Sequence, residues 1–345
     1  MRVGVVGCGF ICHEHLRVLR RLRDVEIVGV CDRQPELAAS VAKAYGAPRA
    51  FDDPSRFLAE ARPDVVHVLT PPQSHRELAA QALQAGCHVL VEKPMATSVD
   101  DAQAMLRTAR DTGRHLGVCH NFRFVPAFLR AQQVLESGAL GSLLSAEVYW
   151  RMSSHGPEKR AQAQQWMHAL PGGVFHEVLP HLLYTLGAVM GRLRLVSAVS
   201  DAATRDDPSE LRALFLTPSG PAALGLSLQS TPVQKFVRVY GSRASLHIDL
   251  ATSALIRLRA PADSIVTRAW ANLDQSAQLA AGTLANAVKM IVGRLPRGHE
   301  TLLRRFYERL RRGEPPPVSA DEGLATVAAL EDLCNALGSE TQQRG

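Results

Sequence analysis

The chain has 345 residues, of which 46% are apolar and 21% are charged, and its formal net charge is +6. This is the composition of an ordinary soluble globular protein, and the length exceeds the usual size of one domain, so we expect two domains. No run of about 18 apolar residues occurs, which excludes a membrane-spanning helix from the expected elements. The sequence starts with a strand pattern, unlike the basic and then apolar start of a signal peptide. We therefore expect a cytoplasmic protein with no membrane partner.

From residue 1 to about 120, short β-rich runs alternate with amphipathic helical runs, the pattern of βαβ units and a parallel sheet. The predicted strands are Val3–Val6, Glu26–Cys31, Val65–Leu69, His88–Val91 and His115–Cys119. The predicted helices are Leu16–Leu22, Pro35–Tyr45, Glu77–Ala85 and Val99–Thr112. The pattern predicts an α/β, doubly wound Rossmann domain that binds a dinucleotide, over residues 1–122.

After Pro126 the strands are separated by turns and no longer by helices. One helix, Phe128–Ser137, comes first, and a long helix of about Val174–Met190 is inserted later. The predicted strands are Leu143–Arg151, Leu193–Val199, Leu211–Leu216, Ala222–Leu228, Val233–Tyr240 and Ala244–Leu250. Residues from about Trp270 to Leu337 return to helix. Residues 123–345 are therefore predicted to form an α+β substrate-binding and oligomerisation domain with a large open, mostly antiparallel sheet, whose C-terminal helices can pack back on the first domain.

The excess positive charge is concentrated between Lys289 and Arg312, where eight basic residues stand against two acidic ones. Apolar residues recur there at helical spacing, at Leu302, Leu303, Phe306, Tyr307 and Leu310. We interpret the arginines as the solvated face of an amphipathic helix, and a site for anionic substrates or lipid headgroups stays open. No RNA-binding motif or helix-turn-helix accompanies the charge, so no nucleic-acid partner is expected.

The six cysteines are scattered along the chain and include no CxxC pair. Cys8 and Cys12 are four residues apart, but no second ligand pair lies near them in the sequence. This spacing favours buried free thiols over a disulfide framework, and we expect no metal site.

The sequence GCGFIC directly follows the first predicted strand and opens a helix, and Asp32 follows the second strand. A backbone that turns sharply at Gly7 and approaches a pyrophosphate closely at Gly9 is typical of a dinucleotide site. Cys12, a small residue, stands where this fingerprint has its third glycine. Asp32 can accept hydrogen bonds from the adenosine ribose and would repel a 2′-phosphate, which favours NAD(H). The neighbouring Arg33 leaves NADP(H) open.

Two further motifs follow the third and fourth strands, TPPQSH at residues 70–75 and EKP at residues 92–94. Both lie at the carboxyl ends of strands, where ligands bind in open α/β sheets. Taken singly, His75 is a common residue at a helix start and Lys93 is an ordinary exposed charge. Only the combination of motifs therefore distinguishes a functional role for these residues from their ordinary structural roles.

In combination, the motifs resemble those of the glucose-fructose oxidoreductase and inositol dehydrogenase family (Gfo/Idh/MocA), over almost the full length. They are GCGFI, TPPQSH, AGCHVLVEKP, NFRFVP at residues 121–126, and Gly172-Gly173 leading to His181. AGCHVLVEKP is the most specific. The resemblance implies an NAD(P)-dependent oxidoreductase that transfers hydride between nicotinamide and a secondary alcohol or ketone of a sugar, cyclitol or sugar derivative, nucleotide and amino sugars included. In that family the EKP lysine touches the nicotinamide side and the reacting hydroxyl, and the lysine-proline peptide is commonly cis.

The resemblance also implies catalytic residues on the inserted helix. Family members typically carry an aspartate four residues before a catalytic histidine, and here that pair is Glu177 and His181. Residues four apart share a helix face, so the carboxylate can orient the imidazole, although a satisfied polar pair is the plainer interpretation and His176 is a rival. Tyr184 replaces an aspartate that is often found there, which indicates a substrate shape different from that of the best-known relatives. Pro180 lies inside the same run.

The motifs and the resemblance together assign three groups of site residues. The catalytic residues are Lys93, which would hydrogen-bond the developing alkoxide, His181, which would remove the hydroxyl proton, and Glu177. The cofactor-binding residues are Gly7, Gly9, Phe10, Ile11, Asp32, Arg33, Thr70, Pro71, Pro72, His75, Glu92, Lys93 and Asn121. His120, Arg123, Arg151 and His176 are assigned to the substrate by proximity to the motifs.

Two other functions stay open at this point. One is a redox-neutral epimerase or glycosidase-type enzyme with a tightly bound cofactor, since some relatives work in that way. The other is a catalytically silent nucleotide-binding sensor or co-repressor. Because relatives commonly associate through the exposed face of the C-terminal sheet, we also expect a homodimer or homotetramer.

Overall fold

The computed structural model describes residues 1–152, 167, 170–201, 209–259, 264–293 and 295–342. The chain divides into two compact units. The first unit comprises residues 1–121 and 299–328, and the second comprises residues 122–298 and 329–345. No helix among the described residues is long and apolar enough to cross a membrane.

The first unit is built on a six-stranded parallel sheet. Its strands are β1 Arg2–Val6, β2 Glu26–Cys31, β3 Ala50–Phe51, β4 Val65–Val68, β5 His88–Val91 and β6 Leu116–Val118. They are ordered β3-β2-β1-β4-β5-β6, and the order reverses between β1 and β4, as in a doubly wound sheet. The connecting helices are α1 Phe10–Leu19, α2 Pro35–Tyr45, α3 Pro54–Ala61, α4 His75–Gln84 and α5 Val99–Asp111. The predicted Rossmann fold is confirmed.

Three local features of this unit differ from the prediction. Helix α1 begins at Phe10, directly after the glycine turn, as the GCGFIC motif predicted, but it ends at Leu19 and not at Leu22. Strand β3 has two residues, too few for an alternating pattern to show. Helix α3 is capped by the side chain of Asp53, which accepts a hydrogen bond of 2.7 Å from the backbone N–H of Arg56. The Asp53-Pro54 pair is a regular helix-start signal, so this helix could have been predicted.

The second unit is built on a seven-stranded sheet. Its strands are β7 Leu143–Arg151, β8 Arg194–Ser200, β9 Glu210–Thr217, β10 Gly220–Ser227, β11 Gln234–Gly241, β12 Ala244–Asp249 and β13 Ala254–Arg259. Their order is β13-β12-β11-β7-β10-β9-β8, and every pairing is antiparallel except the parallel one between β7 and β10. The predicted mostly antiparallel sheet is confirmed. Strand β13, at the edge of the sheet, was not predicted.

Among the described residues, three helices accompany this sheet, α6 Pro126–Glu136, α7 Gly173–Met190 and α8 Ile265–Ile291. Alternate residues of the strands face one core, as in β9, where Ala213 and Phe215 are buried and Leu214 is exposed. Helix α7 covers that core with residues such as Leu179 and Leu182. It runs through Pro180 without a break, although proline lacks the N–H that would bond to residue 176.

The C-terminal part forms helices α9 Gly298–Arg311 and α10 Ala320–Gln342. The apolar residues predicted to lie on one face of α9 are all buried: Leu302, Leu303, Phe306, Tyr307 and Leu310. On its other face, Arg304 pairs with Glu300 and Arg311 pairs with Asp24. The predicted amphipathic helix with a solvated basic face is therefore confirmed. The six cysteines are free, and five of them are buried, as predicted.

Candidate active site

The glycine turn after β1 uses its two glycines in different ways. Gly7 has a φ of +98°, and a Cβ atom there would lie 2.7 Å from the backbone of Leu69 and Thr70. Gly9 has an ordinary φ of −71°, and a Cβ atom there would meet nothing within 4 Å. Of these two glycines, the fold itself therefore requires only Gly7. The space beside Gly9 suits a group that must approach the backbone closely, such as a phosphate.

The N-terminus of α1 opens from the same turn. Within the part of the chain that the structure describes, no side chain caps this end of the helix. The amides of its first turn and the positive end of the helix dipole therefore fit an anion. Phe10 is 82% exposed, Ile11 is half-buried, and Cys12 is fully buried beneath them.

Asp32, after β2, is held by two backbone hydrogen bonds. Its Oδ2 accepts one of 2.8 Å from the N–H of Cys8, and its Oδ1 accepts one of 2.9 Å from the N–H of Gln34. A carboxylate has about four acceptor positions, so both oxygens keep capacity for ribose hydroxyls. Arg33 beside it is exposed. The glycine turn, the open helix end and this fixed carboxylate fit a dinucleotide.

His75 joins the two motif turns that follow β4 and β5. Its Nε2 is 2.8 Å from the carbonyl oxygen of Thr70, and its Nδ1 is 3.0 Å from that of Pro94. Burial lowers the pKa of this histidine, and the two carbonyls act in the opposite direction. Because the ring is fully buried, we interpret His75 as a structural residue that fixes the two turns relative to each other. Thr70 and Pro71 are half-buried, and Pro72 is buried.

Lys93 follows β5 at the same carboxyl edge of the sheet. The N–H of Glu92 donates to the carbonyl of Val68 at 3.0 Å, and the N–H of Lys93 donates to Glu92 Oε2 at 3.1 Å. Lys93 itself is half-buried. The Lys93–Pro94 peptide is cis, as the resemblance implied.

Glu92 belongs to a buried polar cluster that the sequence did not predict. Its Oε1 is 3.2 Å from His15 Nε2 and 3.7 Å from His299 Nε2. Burial alone would raise the pKa of Glu92, but the interactions with His15 and His299 outweigh it and hold this pKa well below its usual range. Burial lowers the pKa of His15 against the opposing effect of Glu92. The cluster thus holds a buried carboxylate one residue from Lys93.

In the second unit, His181 lies among aromatic rings. Its imidazole stacks on Trp150, with centroids 5.3 Å apart and planes at 17°, and it meets the edge of Phe122 at 5.1 Å. Its Nδ1 is 2.8 Å from the hydroxyl of Tyr184. That hydroxyl also accepts a hydrogen bond of 3.1 Å from the N–H of Phe122. Tyr184, the departure from the family pattern, therefore contacts the imidazole directly.

Further residues of this unit lie near the predicted ones. The ammonium of Lys235 is 4.4 Å from the centroid of the Trp150 ring, a cation–π contact. The sequence did not predict Trp150 and Phe122 as neighbours of His181, nor Lys235 as a neighbour of those two rings. Trp150 had a usable signal, since it is the inward-facing residue next to Arg151 at the end of β7. Lys235 had none.

The other predicted site residues differ in burial and in the groups that they contact. Glu177 is half-buried on α7, whereas His176 is buried, with Nδ1 3.8 Å from the sulfur of Cys334. The guanidinium of Arg151 lies 5.2 Å from the Tyr149 ring centroid. Asn121 and Arg123 are half-buried in a short 3₁₀ turn, and His120 before it is buried.

Two profiles of one family match the sequence. Residues 1–120 match the one described as "Oxidoreductase family, NAD-binding Rossmann fold", and residues 128–247 match "GFO/IDH/MocA C-terminal domain". The chain belongs to the Gfo/Idh/MocA family. The family suggested by the motifs is thereby confirmed, and the first unit contains its NAD-binding Rossmann domain.

Relatives in this family include sugar dehydrogenases. The D-glucoside 3-dehydrogenase of Escherichia coli (strain K12) is 35% identical over 144 residues, 41% of this chain and 41% of that protein. The D-apiose dehydrogenase of Paraburkholderia graminis is 34% identical over 147 residues, 43% of this chain and 39% of that protein. The chain thus matches about two fifths of the length of these curated relatives.

A solved structure is similar over nearly the whole chain. It is the WlbA dehydrogenase from Bordetella pertussis in complex with NADH and UDP-GlcNAcA. The two share a TM-score of 0.81 and 22% identity, over 99% of this chain and 96% of that one. This similarity supports the fold of both units.

Proposed function

We propose that the protein is an NAD(P)-dependent oxidoreductase acting on a secondary alcohol or ketone of a sugar, cyclitol or sugar derivative. The observation that carries this proposal is the shared carboxyl edge of the parallel sheet of the first unit, where the Gly7–Gly9 turn follows β1, the fixed Asp32 carboxylate follows β2 and Lys93 follows β5. Membership in an oxidoreductase family and the names of the matching dehydrogenases support the substrate class.

The residues proposed to hold the cofactor divide by the part they would contact. Gly7, Gly9 and the open end of α1 bind the phosphates, and Asp32 binds the adenosine ribose. Phe10, Ile11, Arg33, Thr70, Pro71, Pro72, Asn121 and Lys93 line the rest, with His75 and Glu92 fixing the turns. When bound, the nicotinamide accepts or supplies the hydride, which is chemistry that the protein side chains lack.

Two side chains are proposed to handle the substrate hydroxyl. His181 takes the proton as the alcohol is oxidised, and Lys93 donates a hydrogen bond to the oxygen as it becomes negative. Tyr184 positions the imidazole through Nδ1, and Glu177, one helical turn earlier, favours the imidazolium that forms. His120, Arg123, Arg151 and His176 are proposed contacts of the sugar.

A substrate panel tests this function. Purified protein is mixed with NAD or NADP and with glucosides, free sugars, cyclitols, nucleotide sugars and amino sugars, and reduced nicotinamide is followed by absorbance. Net reduction with a member of the panel is the expected result. Turnover of substrate by protein with bound NAD, without net reduction, would instead support the redox-neutral alternative. Cofactor binding without any turnover would support a silent sensor.

NAD is proposed to be preferred over NADP, because the Asp32 carboxylate would lie against a 2′-phosphate. Asp32→Ser removes this charge and both of its bonds to the backbone amides. We expect the preference for NAD, measured as the ratio of kcat/KM values, to fall about tenfold or more, through weaker use of NAD and better use of NADP. Asp52→Ser, at an exposed position after β3, is the control and should leave the ratio unchanged. An unchanged ratio in Asp32→Ser would contradict the assignment.

The protein is also proposed to form a homodimer or homotetramer through the outer face of the C-terminal sheet. Leu214, Leu216 and Val199 are exposed there, on the face opposite to the buried Ala213 and Phe215. Adjacent exposed apolar side chains on one sheet face are typical of an interface. Light scattering of the purified protein measures the mass in solution, and a monomer would contradict the proposal.

A further inference from the structure

A cluster of three buried metal-ligand side chains lies next to the Lys93 turn in the first unit, and His299 lies beside it. His15 comes from α1, Glu92 follows β5, Cys119 follows β6, and His299 lies on α9. One nitrogen, oxygen or sulfur atom from each of His15, Glu92 and Cys119 lies within 4.8 Å of the others. The function proposed above gives His15, Cys119 and His299 no task.

Two separations within this group of three, both measured from His15, match the edges of a tetrahedron around an ion. Glu92 Oε1 is 3.2 Å from His15 Nε2 and 3.7 Å from His299 Nε2, and Cys119 Sγ is 3.9 Å from His15 Nε2. Bonds of about 2.1 Å to nitrogen and oxygen and about 2.3 Å to sulfur give edges of about 3.4 Å for N···O and about 3.6 Å for N···S. The His15–Glu92 and His15–Cys119 separations are within about 0.3 Å of these edges. His299 approaches Glu92 at 3.7 Å but is not among the three residues whose ligand atoms all lie within 4.8 Å of one another.

The donors also suit a transition metal in their chemistry. An imidazole nitrogen, a thiolate and a carboxylate oxygen form the mixed set that Zn²⁺ prefers over Mg²⁺ or Ca²⁺, which take oxygen ligands. His15 and Cys119 are fully buried, so a bound ion would be shielded from water. The side chain of His299 is 17% exposed and gives an ion a way in.

A second layer of contacts directs His15 toward this point. Its Nδ1 is 2.8 Å from His67 Nδ1, and His67 Nε2 is 2.7 Å from the hydroxyl of Tyr307. A proton on His15 Nδ1, donated to His67, leaves the lone pair of Nε2 for a metal. Such outer contacts usually fix the tautomer of a metal-binding histidine. Glu92 Oε2 is likewise engaged, by the N–H of Lys93.

We propose that His15, Glu92 and Cys119 bind one divalent transition metal ion, with Zn²⁺ as the natural occupant. Three protein ligands leave a fourth position for a water molecule. The ion would join α1 to the ends of β5 and β6, and thereby hold the Glu92–Lys93 turn. The proposal is independent of the proposed oxidoreductase activity, because metal binding is measured without substrate.

Metal content and cobalt spectra of the full chain test this site. The protein is stripped with a chelator, dialysed, and titrated with ZnCl₂ or CoCl₂. We expect about one Zn²⁺ per chain by mass spectrometry, a Tm about 5 to 10 °C higher with zinc, and tetrahedral Co²⁺ bands with a thiolate charge-transfer band. Less than about 0.2 Zn²⁺ per chain without those bands would overturn the proposal.

Variants locate the ion. Cys119→Ser should abolish the thiolate band and the one-to-one binding of zinc. Cys87→Ser is the matched control, because Cys87 is also buried in the first unit but its thiol contacts the carbonyl of Pro63 at 3.0 Å. Should Cys119→Ser fail to fold, Glu92→Gln decides, since it keeps the shape of the side chain but removes the charged ligand, and it should also abolish one-to-one binding. Zinc binding equal to wild type in either folded variant would overturn the proposal.

Discussion

The Lys93 turn of the first unit and His181 of the second unit are held by different kinds of contact. Backbone hydrogen bonds to Val68 and Glu92, and a buried carboxylate between imidazoles, fix the lysine turn. His181 is held between aromatic rings and by one hydroxyl. A proton-transfer group benefits from a site in which its charge can change, whereas a fixed positive charge benefits from rigid polar support. The difference thus matches the two proposed roles.

The first way to test this contrast is to remove the charge of Lys93. Lys93→Met replaces the ammonium-bearing side chain with an uncharged, unbranched one of similar length. We expect kcat/KM to fall about 10²- to 10³-fold, because the developing alkoxide loses its hydrogen-bond donor. NAD affinity, measured by calorimetry, should change less than about threefold. Lys43→Met, at an exposed position on α2, is the control and should behave as wild type. Near-normal turnover of Lys93→Met would refute the role.

The next effect separates binding from folding within the glycine turn. Gly9→Ala should fold normally, because its Cβ meets nothing within 4 Å, yet it should weaken NAD binding about tenfold or more by crowding the phosphates. Gly7→Ala should lower the free energy of unfolding by about 2 to 4 kcal/mol, since strain and a backbone clash combine. Calorimetric binding and thermal unfolding distinguish the two. Equal unfolding temperatures for both variants would contradict this assignment.

A smaller effect is expected at Tyr184. Tyr184→Phe removes the hydroxyl from His181 Nδ1 and from the N–H of Phe122 while keeping the ring, so kcat/KM should fall about tenfold with little change in KM. The pH profile of kcat/KM should also shift, which loss of packing alone would not cause. Tyr45→Phe is the control, because its hydroxyl also contacts an imidazole, Nδ1 of His13 at 3.0 Å. An unshifted profile would leave Tyr184 with a packing role.

The smallest predicted effect is on how the free energy of unfolding depends on pH, through His88 in the first unit. Burial, then His115 and Arg114, lower the pKa of His88 to about 4, against the opposing effect of Asp64. Between about pH 6.5 and 4 the unfolded chain binds this proton and the folded chain does not, so the free energy of unfolding falls as the pH falls. His88→Asn keeps an acceptor for the N–H of His115 and should remove about 1 kcal/mol of this loss, allowing for the half-exposed ring. Urea unfolding at pH 7 and pH 5 measures it, and identical losses would contradict the prediction.

The sequence predicted the first unit well where the signal was local. The βαβ rhythm and the turn motifs identified five strands, the Gly7 turn and Lys93, because each motif is formed by residues adjacent in the chain. It missed β3, which is too short to show a period, and overlooked the cap of α3 at Asp53. The sheet of the second unit was predicted to within two residues at most strand ends, since alternation there follows burial.

The surroundings of the site residues could not be predicted because they depend on distant parts of the chain. Trp150 and Lys235 lie on two strands of the sheet, β7 and β11, far along the chain from His181 on α7. His15 and His299 meet Glu92 from positions with no shared spacing. Such contacts are set by tertiary packing, on which local propensity and motif spacing carry no information.

The stacking of His181 on Trp150 gives the protein a built-in optical reporter. The Trp150 indole is almost fully buried, whereas Trp270 is 67% exposed. A protonated imidazole in face contact quenches indole emission more strongly than a neutral one. In a Trp166→Phe variant, the blue-shifted part of the tryptophan fluorescence should therefore follow the proton on His181, so the charge state of the proposed base can be observed in resting protein before any substrate is known.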